Sequence, residues 1–481
     1  MLQASNYLFS KTKILCTLGP ASFSKDVLKK MIEAGMDGVR LNFSHGNYDF
    51  FLNVFNTIKE ACAEDNNALA ILVDLQGPKI RIGELAEPEV TLVNGEEIEI
   101  TREDIKGNAK RVSTSYKPLP EDAKVGDTIL IDDGLLRLTV TSKTKDSVFC
   151  RIENGGTLKP KKGMNLPGMN LSTPSITEKD YRDLEFLAEN FHVDYIALSF
   201  VRKAADITEL HEWLAKRNIK SKIIAKIEKK EAVDNFDEIL EVSDGIMVAR
   251  GDLGVEMPPF EVPNYQKMII RKCNEAGKLV ITATQMLESM VNNPVPTRAE
   301  ASDVANAVWD GTDVVMLSAE TSVGKFTVKA VEMMNQIVKN AASLSDVRRE
   351  IQYKVPVQFK EKIFDSVNKS VVQLSKEVNA SAIVVFTLKG RTAVSISKYR
   401  PNAMIIALSP VIETINELCL RWGVTSIYSD LDTNEHDFIE KATHMILEGG
   451  LVKKGDVVIF TSGTLDSDNS RTNLLRINII Q

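Results

Sequence analysis

Ala225-Lys226-Ile227-Glu228 and Ala249-Arg250-Gly251-Asp252 each close an apolar, strand-like run with charged groups that a buried strand does not need. The runs are Lys222–Ile227 and Gly245–Val248. Side chains two apart on a strand point the same way, so Lys226 and Glu228 share a face, and Asp252 reaches it from the end of the next strand. A lysine between two carboxylates reads as a metal and phosphate site. Any one such pair alone would read as a salt-bridge cluster at exposed strand ends, so the meaning depends on what the other strands carry.

Short apolar runs bounded by polar residues recur at Ile14–Leu18, Gly38–Leu41, Ile71–Leu75, Tyr195–Ser199, Leu279–Thr282 and Val314–Leu317, making eight candidate buried parallel strands in all. Helix-period segments lie between most of them, at Ser24–Ala34, Tyr48–Ala63, Thr177–Asn190 and Pro263–Ala276. Thr177 followed by Asp180 predicts a helix N-terminus, and Gly277 stands where a helix ending at Ala276 needs its stop. Eight strand-helix units close into an α/β TIM (β/α)8 barrel, whose chemistry sits where the strands end. Periodicity by itself also allows an open doubly wound sheet.

Between the third and fourth strands the pattern changes. Val90–Val93 and Glu97–Ile100 flank Asn94-Gly95, a hairpin signal, and Thr128–Ile131, Leu135–Val140 and Val148–Ile152 alternate like half-buried strands. This predicts a small all-β barrel inserted at Gly77-Pro78, directly after a strand end, where it can act as a lid. After the helical Lys325–Ala342 the pattern restarts: helix Phe364–Glu377, then β-like runs at Ala382–Phe386, Met404–Ala407, Val424–Ile427, Val457–Phe460 and Leu475–Ile480. The expected division is barrel over 1–76 and 169–342, lid over 77–168, and a C-terminal α/β domain over 343–481.

A length of 481 residues suits roughly three domains. A net charge of -7 offers no general attraction to nucleic acid or anionic membrane, so a phosphorylated ligand must be met by local positive charge. Five scattered cysteines without Cys-x-x-Cys spacing suggest neither a disulfide framework nor a zinc site, and a reducing cytoplasm is the expected setting. The start, Met1 to Ser5, has no basic region before an apolar core, and no apolar run approaches a membrane span, so a soluble, unprocessed protein is expected.

Nearly every strand ends in polar groups: Thr17; Arg40, Asn42, Ser44 and His45; Asp74; Arg202 and Lys203; Lys226 and Glu228; Arg250 and Asp252; Thr284 and Gln285; Ser318 and Glu320. A chance surface cluster would not draw on the whole ring. Glu228 and Asp252 suit Mg²⁺, which takes one or two protein carboxylates and fills its shell with substrate and water. Arg40 and Lys226 can neutralise a phosphoryl group, whose transfer depends chiefly on positioning and charge. The amides of Gly251 and Asp252, if they begin a helix, add a cradle for a carboxylate.

Lys13-Ile14-Leu15-Cys16-Thr17-Leu18-Gly19-Pro20, Arg40-Leu41-Asn42-Phe43-Ser44-His45-Gly46, Asp74-Leu75-Gln76-Gly77-Pro78-Lys79-Ile80-Arg81, Ala225 to Glu228, Ala249-Arg250-Gly251-Asp252-Leu253-Gly254 and Thr282-Ala283-Thr284-Gln285-Met286-Leu287-Glu288-Ser289-Met290 together resemble the motifs of the pyruvate kinase family, in family order and over nearly the whole chain. The resemblance implies phosphoryl transfer from phosphoenolpyruvate to ADP, giving pyruvate and ATP. Arg40 would hold the phosphoryl group, and Lys226 would stabilise its charge and the enolate left behind. Glu228 and Asp252 would hold Mg²⁺, with Mn²⁺ as a substitute. Gly251, Asp252 and Thr284 would bind the substrate carboxylate, and Thr284 or a water chain would serve in protonation. Asn42, Ser44, His45, Arg81 and Lys203 would meet the nucleotide, although His45 on its own is an ordinary turn residue. The resemblance also implies a homotetramer, from the helix Pro263–Ala276 and the run Thr297 to Glu300, which alone is an ordinary helix start.

Many members need K⁺ and read Asp-Thr-Lys-Gly-Pro-Glu-Ile-Arg-Thr-Gly where this chain has Asp74 to Gly83. Here Lys79 replaces an acid, and Leu75 and Ile82 replace threonines. The monovalent-cation pocket implied at Asn42, Ser44, Asp74 and Leu75 would then have Lys79 in place of K⁺, as in the K⁺-independent members. Thr387-Leu388-Lys389-Gly390-Arg391-Thr392 has the strand, glycine turn and helix order of a phosphate cradle. It resembles the family's effector loop for a sugar phosphate or nucleotide, with Lys389 where a hydroxyl is usual and with Asp466 and Asp468 in the late loop Gly463–Arg471 unfavourable to a second phosphate. Two rivals remain: a TIM-barrel lyase acting on phosphoenolpyruvate or pyruvate, which has no need of ADP, and a non-catalytic regulatory relative, in which some reactive position should be missing.

Overall fold

Eight parallel strands close on themselves in chain order: Lys13–Thr17, Gly38–Asn42, Ala70–Asp74, Tyr195–Leu198, Lys222–Ile227, Gly245–Ala249, Leu279–Ala283 and Val314–Leu317. The last pairs back with the first, Lys13 opposite Val314, so the sheet is a barrel and not an open doubly wound sheet. The computed structural model describes residues 10–65, 67–344, 351, 353–431, 437–463 and 472–481. Closure explains why these runs are apolar throughout and do not alternate with polar residues. Leu15, Leu72, Tyr195, Ile224, Met247 and Ile281 fill the barrel, while their neighbours Ile14, Val73, Ile196, Ile223, Ile246 and Val280 face the helices.

The surrounding helices begin and end as their local chemistry dictates. Thr177 caps Glu178–Asn190, accepting from Asp180 N–H at 3.2 Å while the Asp180 carboxylate accepts from Thr177 N–H at 2.8 Å. Val262–Ala276 stops at Gly277, whose φ of +69° is left-handed. Thr297 and Glu300 form the same reciprocal cap on Arg298–Asp310.

The insert holds a six-stranded sheet ordered Met164–Asn165, Thr128–Ile131, Leu136–Lys143, Ser147–Asn154, Glu97–Thr101, Arg111–Ser113. One expectation fails here. Val90–Leu92 and Glu97–Thr101 do not form a hairpin, although the chain does turn at Asn94-Gly95, where Gly95 has a φ of +84°. Val90–Leu92 pairs instead with Gly156–Leu158, and Asn94 Oδ1 accepts from Gly155 N–H at 2.6 Å, so the turn residue fastens the two segments of a different sheet.

The C-terminal domain has five strands ordered Val424–Tyr428, Met404–Ser409, Ala382–Phe386, Val457–Gly463, Thr472–Ile479, all parallel except the last. The acidic positions Asp466 and Asp468 lie outside the described residues. This domain seals the barrel floor. Leu420 and Cys419 join the core inside the barrel, and Tyr195 Oη donates to Glu417 O at 2.7 Å. The floor is tight enough that a Cβ on Gly38 would stand 2.9 Å from Leu420. All five cysteines are unpaired thiols, and no helix among the described residues is long and apolar enough to cross a membrane.

Candidate active site

At the opposite end of the barrel, four successive strand ends meet on one buried carboxylate. Asp74, 1% exposed, ends the third strand. Its Oδ2 accepts from Arg40 Nε at 2.8 Å and pairs with Arg40 Nη2 at 2.6 Å, and its Oδ1 faces Lys226 Nζ at 3.1 Å and Ser199 Oγ at 3.2 Å. Arg40 Nη1 also donates to Thr17 Oγ1 at 3.0 Å. Lys226 Nζ donates to Ser199 Oγ at 2.7 Å and pairs with Glu228 Oε1 at 2.8 Å. Glu228 Oε2 in turn accepts from Phe200 N–H at 2.8 Å.

Burial opposes the charge on each of these groups, and their neighbours decide the outcome. Burial pulls the Lys226 ammonium down, but Asp74 and Glu228 outweigh it and hold its pKa above the ordinary lysine value. Burial likewise pushes the Asp74 carboxyl up, and Lys226 and Arg40 overcome this to leave it below the usual carboxylate range. For Glu228 burial prevails: its carboxyl is raised against the pull of Lys226, and the nearby Asp252 adds to the rise. Buried Glu228 and half-buried Asp252, close enough for the charge of one to be felt at the other, form a donor set that a hard divalent cation suits.

Asp252 follows the sixth strand on the short helix Arg250–Glu256. It lines a cleft of about 630 Å³ with Phe200, Arg202, Lys229 and Glu256 of the barrel and with Lys79 and Asn165 of the insert side. Gly251 N–H donates to Thr284 Oγ1 at 2.7 Å, and a Cβ on Gly251 would stand 3.5 Å from that side chain. Thr284 and Gln285 both have positive φ, +66° and +52°, a conformation costly for a β-branched residue. Arg250 holds it: Nη2 donates to Thr284 O at 2.6 Å, Nε to Ala283 O at 3.1 Å, and Nη1 pairs with Asp303 at 2.7 Å.

Other candidate residues are placed less centrally. Asn42 stands opposite Asp74 in register, and its Oδ1 accepts from Ser44 N–H at 3.1 Å. Leu75 is buried and apolar. Lys79 is exposed, and no ion pair or hydrogen bond of its side chain joins it to Asn42, Ser44 or Asp74; its charge is felt instead at His45. There burial, then Lys79, Arg81 and Arg40, lower the imidazole pKa. Arg81 Nη1 donates to Lys161 O at 2.9 Å within the insert. Lys203 is exposed before the helix Ala204–Lys216, whereas its neighbour Arg202 faces the cleft and donates to Leu171 O at 2.6 Å and Thr173 O at 2.8 Å, fastening the returning end of the insert.

In the C-terminal domain Gly390, with φ of +71°, begins the helix Arg391–Lys398. Thr387 N–H donates to Leu408 O, Thr392 is buried, Lys389 is exposed, and Arg391 pairs with Glu361 at 3.0 Å.

Sequence reasoning did not assign roles to Ser199, Phe200, Arg250 or Glu320. Ser199 and Arg250 carried the signal of a polar residue closing an apolar run. Glu320, fully buried, accepts from Leu287 and Ser318 N–H at 3.0 and 2.7 Å and so fixes the loop after the seventh strand. Phe200, at φ +56°, gave no signal, since its part is played by its backbone amide.

Residues 9–331 match the family model described as "Pyruvate kinase, barrel domain", and residues 365–478 match "Pyruvate kinase, alpha/beta domain". Pyruvate kinases of Staphylococcus aureus strains MRSA252 and USA300 are each 42% identical over 473 residues, covering 98% of this chain and 80% of theirs. A crystal structure of a pyruvate kinase from Cryptosporidium parvum superposes with a TM-score of 0.90 at 37% identity, covering 100% of this chain and 98% of that one. With both domains matched in order on a barrel of this form, the chain belongs to the pyruvate kinase family of phosphotransferases.

Proposed function

We propose that the chain transfers the phosphoryl group of phosphoenolpyruvate to ADP, giving pyruvate and ATP, with Arg40, Lys226 and Thr284 acting on the reacting atoms. The observation that carries this is the continuous chain of ion pairs Arg40–Asp74–Lys226–Glu228 across the strand ends, which gathers two cations around one buried carboxylate. Arg40 and Lys226 bind the transferred group and oppose its charge as it moves. Lys226 also faces the oxygen that becomes the enolate. Gly251 and Asp252 N–H with Thr284 Oγ1 orient the substrate carboxylate. A divalent cation, Mg²⁺ or Mn²⁺, held by Glu228 and Asp252 would supply further positive charge to the phosphoryl oxygens. Asn42, Ser44, His45, Arg81 and Lys203 form the nucleotide side, and the insert, residues 77–168, closes over it as a lid.

Asp74 supports independence of K⁺. Both its oxygens are already met by Arg40, Lys226 and Ser199, and its neighbour Leu75 offers no side-chain oxygen to a monovalent ion. Lys79 brings a fixed ammonium near His45. The loop Thr387 to Thr392, with Lys389, Gly390 and Arg391, is proposed as the seat of a phosphorylated effector on the C-terminal domain, residues 343–481. By family likeness the setting is cytoplasmic and the assembly a homotetramer.

Lys226→Met should abolish ADP phosphorylation while the circular dichroism spectrum stays unchanged; retained turnover would overturn the mechanism, and pyruvate release without ADP would favour a lyase. In Tris or tetramethylammonium salts the rate should be full, and a many-fold rise on adding KCl would sink the K⁺ reading. Hexose phosphates, ribose 5-phosphate and AMP should be compared at low phosphoenolpyruvate; the effector reading fails if none shifts half-saturation.

Asp74→Asn leaves Arg40 and Lys226 without their shared counter-charge, and an expected loss of about 3–5 kcal/mol should appear in urea unfolding. The Asp74 pKa is depressed, so its contribution is complete above the unfolded value near ~3.9 and is lost as pH falls through the lower folded value. The gap between wild type and variant should therefore hold down to about pH 5 and close only in stronger acid.

A further inference from the structure

The barrel floor carries a second concentration of positive charge, at the strand ends remote from the cleft. A small pocket open to solvent lies there between the two domains, its lining including Lys278 and Asp313 of the barrel and Ser397, Lys398, Arg400 and Arg421 of the C-terminal domain. Four of the nine residues that line it are cations, against one carboxylate. That carboxylate is already engaged, since Asp313 Oδ1 pairs with Arg400 Nη2 at 2.6 Å and Oδ2 accepts from Val280 N–H at 2.8 Å. Lys398 has a separate partner in Asp365 at 3.0 Å.

The other cations are left with donors to spare. Arg400 Nη2 also donates to Asn274 Oδ1 at 2.7 Å and Gly311 O at 3.1 Å, but its Nε and Nη1 are buried without a hydrogen-bond partner among the described residues. Its guanidinium lies 4.7 Å from the centre of the Trp422 ring, which covers one face. Arg421 is 8% exposed, its Nε is buried without a partner, and its side chain makes no ion pair with any described residue. Burial opposes its charge, and Tyr195, Glu417, Asp313 and Asp244, none of them within ion-pair distance, together outweigh burial and raise its pKa. Among the described residues, Lys278 Nζ reaches carbonyls alone, Ser243 O at 2.6 Å and Glu241 O at 3.2 Å.

A guanidinium cannot shed its proton, so a buried one without a carboxylate is among the costliest groups a protein can hold. The remedy its geometry offers is a tetrahedral oxyanion, which takes parallel N–H donors from an arginine fork. We propose that this cavity binds a small phosphate group, free or as a phosphomonoester, held by Arg421, Arg400 and Lys278 across the junction of the barrel floor and the C-terminal domain. The site is separate from the cleft and from the loop Thr387 to Thr392. The helix Arg391–Lys398 starts at that loop and ends at this cavity, about 12 Å along its axis.

Thermal unfolding of the full chain tests this, with sodium phosphate or glycerol 2-phosphate replacing sodium chloride at constant ionic strength. Wild type should gain about 2–4 °C with at least one of them, and the larger gain tells ester from free phosphate. Arg421→Met should lose the gain; if that variant does not fold, Lys278→Met must lose it instead. Arg40→Met and Arg391→Met, which alter the cleft and the loop, should keep it. No gain in wild type, a gain surviving in Arg421→Met, or in Lys278→Met where it serves as the substitute, or a loss in Arg40→Met or Arg391→Met would each overturn the proposal.

Discussion

Lys226 is an ammonium taken almost wholly out of water, and the strand ends are arranged around keeping it charged. Removing such an ion from solvent costs several kcal/mol, while one carboxylate about 4 Å away returns roughly 4 kcal/mol at the effective dielectric of a protein. A single partner would barely offset the loss. Lys226 has two, Asp74 and Glu228, with the Ser199 hydroxyl between strands three and five. That arrangement needs the third, fourth and fifth strands side by side in register, because only then do Asp74, Ser199 and Lys226 come to the same height. Ala197 lies opposite Asp74, and Leu198 opposite Ala225, which sets this alignment.

The same requirement explains where the backbone is strained. Phe200 takes a positive φ so that its amide can meet Glu228, and Thr284 does so beside the Gly251 amide. Each departure costs of order 1–3 kcal/mol and survives because neighbours over-determine it. For Thr284 the constraint is the Arg250 fork, itself anchored by Asp303. Gly77 performs the corresponding service where the insert leaves the barrel: its φ is +64°, and a Cβ there would come within 2.9 Å of Phe200. The glycine lets the insert depart directly over the charged cluster.

What the sequence made legible follows from the range of each interaction. The barrel's strand runs, helix caps at Thr177 and Gly277, and the ring of polar strand ends are local patterns, and the structure has the barrel runs within a residue or two. The Val90–Leu92 strand was misjudged because its partner, Gly156–Leu158, is remote in the chain and a turn signal says nothing about what pairs beyond it. Arg250 and Ser199 were visible as polar residues in the right places, but their partners lie across space. Lys203 and Arg202 show the finest limit: adjacent cations after one strand, of which Arg202 turns to the cleft and Lys203 to solvent, a choice made by the helix that starts between them and the rest of the chain.

The two ends of the barrel differ in how they treat charge, and the contrast bears on how they can communicate. At the strand ends every buried cation is met by a carboxylate, whereas at the floor Arg421 is met by none among the described residues. The elements joining them are short strands packed on both faces, such as Val314–Leu317, which follows Asp313 and pairs with Leu279–Ala283, the strand leading into Thr284. Elements packed this tightly carry a signal only by shifting between discrete arrangements. A shift at Asp313 could reach Thr284 through one pair of strands. Any ligand that favours one arrangement of the floor would bias the site to the same extent that substrate biases the floor, because equilibrium coupling is reciprocal.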